Sequence, residues 1–390
     1  MSLTDILARL VAVPSLPGTP NAAITDAICA LLDRPGIALH RVPTPEGRWN
    51  ILASIGPADR PGLMLSGHSD VVSAEGQDWG SDPFRLTVRD DRLVGRGTSD
   101  MKGFLAVMLD LVPDLLAMPL TRPVHLAISC DEEIGCQGVP HLIARLPDLI
   151  AQPLGCIVGE PSGMAPVLAH KGKRTVEVTF TGRPGHSSDP AQGVNAIYPA
   201  ARLALAVEAL AARLRRDGPF DPAFDPPCTT LQAGVIAGGT AVNIIPDHAR
   251  LLIEARSIPD QPAEAVIADL LRDQPPEAAV HLRASYPSLR PATDPALARR
   301  LAALTGRTPI AAVSYGTEAG LFAQAGIPAV ICGPGLIERA HRADEFVLTA
   351  ELQEARRVLH AIVRDLCTDA AAPGPTARGR AADGPDFAFR

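Results

Sequence analysis

The sequence predicts an α/β protein in two parts: a mostly parallel central sheet with crossover helices, and a smaller α+β domain inserted into it. Three observations carry that prediction. Up to about residue 172, short apolar runs alternate with helical segments, as in a parallel layer whose strands are joined by helices. At Lys173 the texture changes, and Thr175-Val176-Glu177-Val178-Thr179-Phe180 alternates with period two, an antiparallel signal. The length, 390 residues, also exceeds the size at which single cores usually stop growing.

Taken in order, Gly62-Leu63-Met64-Leu65-Ser66-Gly67 reads as a buried strand that delivers His68, with Asp70 two residues on. Ligands at the carboxyl ends of strands face the crevice where open α/β sheets bind their substrates. Asp100 follows two glycines, Gly95 and Gly97, and precedes an apolar helical run. Val124 to Cys130 is a second strand, aimed at three adjacent acids, Asp131-Glu132-Glu133, where a merely solvated turn has no need of an apolar strand. Cys156-Ile157-Val158-Gly159 leads to Glu160-Pro161.

The insert then runs from Lys173. A long helix is expected over about 196–216, a Pro-rich loop over 218–227, strands around Thr229–Val235 and Arg250–Arg256, and a second helix over about 263–272. The chain returns to the first domain near residue 284, and His341 follows the Gly333-Pro334-Gly335 loop. The expected organisation is therefore 1–172 and 284–368 for the larger domain and 173–283 for the insert. The last stretch, 369–390, has the composition of a disordered tail.

His68, Asp100, Glu133, Glu160 and His341 form a mixed nitrogen and oxygen donor set that suits a borderline divalent ion such as zinc. Five ligands are one too many for a single tetrahedral ion. If Asp100 bridges, each of two ions has a His, a terminal carboxylate and a shared carboxylate, the stoichiometry of a dinuclear hydrolase with ions about 3.5–4 Å apart. Asp70 is placed to orient the His68 imidazole. Cobalt accepts the same donors, so the ligand types admit Zn2+ or Co2+.

These motifs resemble the M20 family of metallopeptidases and amidohydrolases. The succession strand-Gly-His-x-Asp, Gly-Arg-Gly-x-x-Asp-Met-Lys-Gly, Asp-Glu-Glu, Gly-Glu-Pro and a late His is matched position by position over nearly the whole chain, with Ser99 where many members have Cys. The resemblance implies two zinc ions per subunit, one held by His68 and Glu133, the other by Glu160 and His341, bridged by Asp100. It leaves Glu132 free as general base and implies that the insert is a lid and dimerisation domain. His186, in Arg183-Pro184-Gly185-His186-Ser187-Ser188, reads alone as a solvated loop residue. The resemblance makes it an oxyanion donor in the partner subunit's site, so that a homodimer completes each centre.

Within the family, His186-Ser187-Ser188-Asp189-Pro190, His170-Lys171-Gly172 and Tyr315-Gly316-Thr317-Glu318-Ala319 are closer to the acetylornithine deacetylases than to the succinyl-diaminopimelate desuccinylases. Other N-acyl-amino-acid deacylases and carboxypeptidases share the metals, and arginine biosynthesis would be the setting of the first activity. Arg256 and Asn243 would hold a substrate carboxylate, for which an Arg fork is well shaped. Asn243 reads equally as a turn cap. Gly316 and Thr317 flank Glu318, which either meets a substrate ammonium or serves as the first-turn acid of a helix.

Composition sets outer bounds. The net charge is −7, and no Lys/Arg cluster or aromatic series suggests nucleic acid, while a small anionic or zwitterionic substrate needs only a local positive group. Seven cysteines without a C-x-x-C pair predict free thiols. No apolar run reaches membrane-spanning length and the first residues lack a basic leader, so a cytoplasmic protein acting on small molecules is expected. A metal-free binding homologue would lack a ligand or the base, and all are present.

Overall fold

The structure, a computed structural model, describes residues 1–272 and 278–369, so the expected tail lies almost wholly outside the described residues. Helices α1 (Leu3–Val11) and α2 (Ala22–Leu32) precede strands β1 (Ile37–Pro43), β2 (Trp49–Ile55) and β3 (Leu63–His68). A hairpin of β4 (Thr87–Arg89) and β5 (Arg92–Val94) leads to α3 (Lys102–Ala117), β6 (Val124–Ser129), α4 (Val139–Leu149) and β7 (Gly155–Pro161). The next group is β8 (Gly172–Thr181), α5 (Ile197–Asp217), β9 (Thr230–Gly238), β10 (His248–Ser257), α6 (Ala263–Leu271) and β11 (Ala278–Tyr286). The chain closes with α7 (Ala296–Thr305), α8 (Ala319–Gln324), β12 (Ala329–Gly333), β13 (Phe346–Leu348) and α9 (Thr349–Cys367).

The central sheet has the order β1-β2-β6-β3-β7-β12. The four strands from β6 to β12 are parallel, while β1 and β2 add an antiparallel edge. Strands β3, β6, β7 and β12 are buried at every position, as expected when helices cover both faces of a parallel sheet. Helix α3 runs beneath them and buries Phe104, Leu105, Met108, Leu111 and Leu115. Contact is closest at Gly159 in β7, where an added Cβ would lie 2.1 Å from the Phe104 ring. Only glycine lets the helix approach the strand that carries Glu160.

The insert is a four-stranded antiparallel sheet, β11-β8-β10-β9, packed against α5 and α6. The expected helices and the strands β8, β9 and β10 lie where the sequence places them. Strand β11 was not anticipated. It pairs with β8 from Ala278 to Tyr286, so the sheet extends past the expected return near 284. Val280 and Leu282 on β11 are exposed and Arg283 pairs with Glu177, which blurs the alternation that marks a strand. All seven cysteines are free and buried. Among the described residues no helix is long and apolar enough to cross a membrane.

Candidate metal centre

Parallel strands with a common direction bring their carboxyl ends together, and here those ends carry the donors. His68 closes β3, Glu132 and Glu133 follow β6, Glu160 lies in β7, and His341 follows β12 on a backbone with φ of 60°. Asp100 enters from the loop before α3, and its peptide bond to Met101 is cis. Its two carboxylate oxygens reach different imidazoles: Oδ1 lies 3.1 Å from His68 Nε2 and Oδ2 3.3 Å from His341 Nε2.

The pairing of the remaining acids is exchanged relative to expectation. Glu160 lies beside His68 at 3.7 Å, and Glu133 beside His341 at 3.1 Å. Strand order alone does not choose between the pairs, because β3 is hydrogen-bonded to both β6 and β7, and His68, Asp100 and Glu133 also bring ligand atoms within 4.8 Å of one another. Ligand bonds of about 2.1 Å at tetrahedral angles would separate donor atoms by roughly 3.4 Å, the range these contacts occupy.

The role expected of Asp70 is also divided. His68 Nδ1 donates to the main-chain carbonyl of Asp70 at 2.9 Å, which leaves the Nε2 lone pair facing Asp100 and Glu160. The Asp70 carboxylate instead accepts the main-chain N–H groups of Glu132 and Glu133, at 3.2 and 3.1 Å. The first acid of the Asp131-Glu132-Glu133 run turns away from the cluster. Asp131 pairs with Arg48 and accepts the Gly18 N–H at 2.7 Å, so it anchors the turn rather than joining the centre.

Electrostatics argue for a cation pair. Burial and the Asp100 charge hold the Glu160 carboxyl well above its usual range, and the same two causes raise Glu133. Burial, with Glu133, Asp100 and Asp70 nearby, pushes Glu132 up to about 8. For Asp100 burial acts the other way from its hydrogen bonds to His341 and His68, which win and keep it ionised. Those contacts with Asp100 and Glu133 raise His341 to about 10. Asp100, Glu132, Glu133 and Glu160 together hold four carboxyl groups with only two imidazoles among them, and buried charge of one sign is costly. Two divalent cations would match the four negative charges, so the donor set fits the metal pair.

The four carboxyl groups and His341 line a cavity of about 300 Å³, with His68 buried behind them. Its opposite wall comes from the insert: Lys173, Arg256 and Tyr286, with Tyr315 and Gly316 from the loop before α8. Arg256 is held by Glu254 at 2.8 Å and by the Tyr286 hydroxyl at 3.1 Å, and Lys173 lies 3.3 Å from Glu254.

Residues 64–365 match the model of peptidase family M20/M25/M40. The chain belongs to that family. Curated relatives include the acetylornithine deacetylase of Proteus mirabilis, 32% identical over 93% of this chain and 96% of that protein. That of Myxococcus xanthus is 35% identical, over 94% and 98% of the two chains. Among solved structures, an M20 metallo-carboxypeptidase from Sulfolobus solfataricus aligns over 93% of this chain and 99% of its own, with a TM-score of 0.75 and 18% identity. A Bacillus subtilis protein described as a dinuclear metal binding peptidase aligns over 93% and 96%, with a TM-score of 0.62 and 18% identity. This M20 protein is thus a metal-dependent hydrolase of amide bonds.

Not every expected residue reaches the M20 cavity. His186 and Asn243 adjoin each other on the insert: His186 is bridged to Ile244, and the Ser187 N–H donates to the Asn243 carbonyl at 3.1 Å. Both are exposed and neither lines this chain's cavity. His186 Nδ1 accepts the Ser188 N–H at 3.2 Å and lies 2.7 Å from the Ser188 hydroxyl, so its free Nε2–H points onward as a donor. Glu318 does not meet substrate: it is fully buried, and its two oxygens accept from Ser66 at 2.5 Å and Ser129 at 2.7 Å at the N-terminus of α8. Its carboxylate makes no cap to the helix and is taken up by two strand hydroxyls, a contact that neither expectation for Glu318 named. Thr317 is likewise buried, its hydroxyl accepting the Ala319 N–H at 3.0 Å.

Gly316 does line the cavity, and a Cβ there would lie 2.4 Å from Tyr286 and 2.5 Å from the Lys171 carbonyl. Gly316→Ala is therefore expected to displace Tyr286, cost about 1–3 kcal/mol of stability and raise KM by loosening Arg256. Thermal melting and steady-state kinetics on one preparation check both; an unchanged KM would disconnect Tyr286 from the substrate. Sequence reading missed Lys173 and Tyr286, and also Glu345, which accepts the main-chain N–H groups of Gly97 and Asp100, and its partner Arg96. For Glu345 the available signal was position, an acid four residues beyond the last ligand.

Proposed function

We propose that this M20 protein is a dinuclear zinc deacylase of N-acyl-L-amino acids, with N-acetyl-L-ornithine the first substrate and L-ornithine and acetate the products. The observation that carries the metal reading is Asp100, whose two oxygens each meet a different His. When bound, the metal pair supplies Lewis-acid polarisation of the scissile carbonyl and lowers the pKa of the attacking water. His68, Asp100 and Glu160 would hold one ion, and His341, Asp100 and Glu133 the other. Cobalt fits the same donors.

Glu132 takes the water proton on its carboxylate and returns it to the leaving nitrogen, as a base beside the ligand set is placed to do. Arg256, steadied by Glu254 and Tyr286, receives the substrate carboxylate across the cavity. His186 donates to the oxyanion in the partner's centre. A homodimer through the insert is supported by its free edge: β9 leaves Val235 and Ile236 exposed, and Tyr198 and Leu205 on the adjacent α5 are exposed as well. The relatives' names favour acetylornithine, and arginine biosynthesis would be its setting. Free buried thiols fit a reducing cytoplasm.

One observation favours a second reading, a deacylase for amino acids with uncharged side chains. Glu318 is occupied by Ser66 and Ser129, and the carboxylates that line the cavity all belong to the metal centre, so among the described residues none lining it is left for a substrate ammonium. The test is hydrolysis of N-acetyl-L-ornithine, N-succinyl-diaminopimelate and N-acetyl-L-methionine by zinc-loaded and chelator-treated protein. Preference for acetylornithine supports the first reading, and preference for acetylmethionine the second. Absence of any zinc-dependent cleavage would overturn both. Arg256→Lys is expected to lower kcat/KM by about 10- to 150-fold, since it loses the fork.

A further inference from the structure

The loop that delivers Asp100 is neither helix nor strand, so its main-chain N–H groups need partners from elsewhere. Three of them, on Gly97, Ser99 and Asp100, donate to one carboxylate, that of Glu345, at 3.0, 2.9 and 3.0 Å. Glu345 is 1% exposed, and its fourth bond comes from Arg96 Nη1 at 2.8 Å. Arg96, equally buried, donates to the Arg342 carbonyl at 3.3 Å, to the Ser73 carbonyl at 3.4 Å and to Gln77. The Gln77 amide in turn donates to the carbonyl of His341 at 3.0 Å. Trp79 completes the group, its ring 5.0 Å from the Arg96 guanidinium and its N–H on Gln77 at 3.1 Å. One hydrogen-bonded network therefore fixes the backbone of the shared carboxylate and the backbone of the last imidazole.

We propose that Glu345, acting through Arg96 and Gln77, is the residue that positions Asp100 and His341 together and so sets the affinity of the paired metal centre. It rests on the dinuclear reading above. The four bonds are divided evenly: Oε1 takes Ser99 and Asp100, and Oε2 takes Gly97 and Arg96. Glu345→Gln consequently turns an –NH2 toward two donors whichever way the amide lies. The loop must shift to relieve that clash, and Asp100 shifts with it. Groups that orient metal ligands in this way typically change metal affinity by about 10- to 100-fold when replaced.

The test is zinc binding to the full chain by competition with a chromophoric chelator, for wild type, Glu345→Gln and Gln77→Ala, beside thermal melting, kcat and KM. Wild type is expected to bind two zinc ions per chain. Glu345→Gln should weaken binding by about 10- to 100-fold and lower kcat with little change in KM, and excess zinc should restore part of kcat. Gln77→Ala, at a half-buried position, should give a smaller loss in the same direction, and it keeps the test open if Glu345→Gln does not fold. A lower melting temperature with wild-type zinc affinity in a folded variant would overturn the positioning role while leaving the dinuclear reading intact. A wild-type chain that binds no zinc pair would overturn the reading itself, and this inference with it.

Discussion

Glu132→Gln is expected to lower kcat by roughly 10²- to 10⁴-fold while KM and bound zinc stay close to wild type. The substitution keeps shape and removes the one property the mechanism requires, a carboxylate that can accept a proton. The surroundings make the distinction sharp. Glu132 lines the cavity beside Glu133, and its main-chain N–H is held by Asp70, so the backbone has no reason to move when the side chain is neutralised. A competing role exists, because Glu132 also lies within ligand distance of His68 and Glu160. A ligand and a base fail differently. Loss of a ligand lowers zinc content, whereas loss of a base leaves two zinc ions on an enzyme that no longer turns over. Kinetics and metal analysis on the same sample separate them, and full hydrolysis by the variant would sink both roles.

What was legible in the sequence is what depends on a single strand and the residue at its end. Each ligand-bearing strand is a mostly apolar run, and such runs are informative because a parallel strand is buried on both faces. The pairing of ligands was not legible, because β3 lies between β6 and β7 and the choice depends on where the distant His341 loop arrives, which no strand states. Glu318 was misplaced for a related reason. Ser66 and Ser129 are polar interruptions of two buried strands, and a buried hydroxyl needs a partner. That requirement pointed to a buried carboxylate, although not to one 252 and 189 residues away in sequence. Glu345 and Arg96 were hidden in the same way. The worth of Glu345 lies in backbone groups it satisfies across 245 to 248 positions, and a satisfied backbone group leaves no trace in composition.

His186→Ala is expected to lower kcat by about 10²- to 10³-fold, the usual consequence of removing one oxyanion donor. The larger effect is predicted when it is combined with Glu132→Gln in different subunits. In this chain His186 is exposed on the insert, beside Asn243, and does not line the cavity that holds Glu132. If it acts across a two-fold dimer, a mixed dimer of the two variants concentrates both defects in one centre and leaves the other intact. If it acts within its own subunit, each centre keeps one defect and no activity returns. Co-expressed at equal amounts, the two nearly inactive variants should recover about a quarter of wild-type activity, since half the dimers are mixed and each of those has one complete site. Activity that stays at the level of the separate variants in dimers verified as mixed would place His186 outside the partner's centre and in that of its own subunit, whereas a His186→Ala protein with wild-type kcat would make the exposed imidazole the solvated loop residue that its Gly-Ser surroundings suggest.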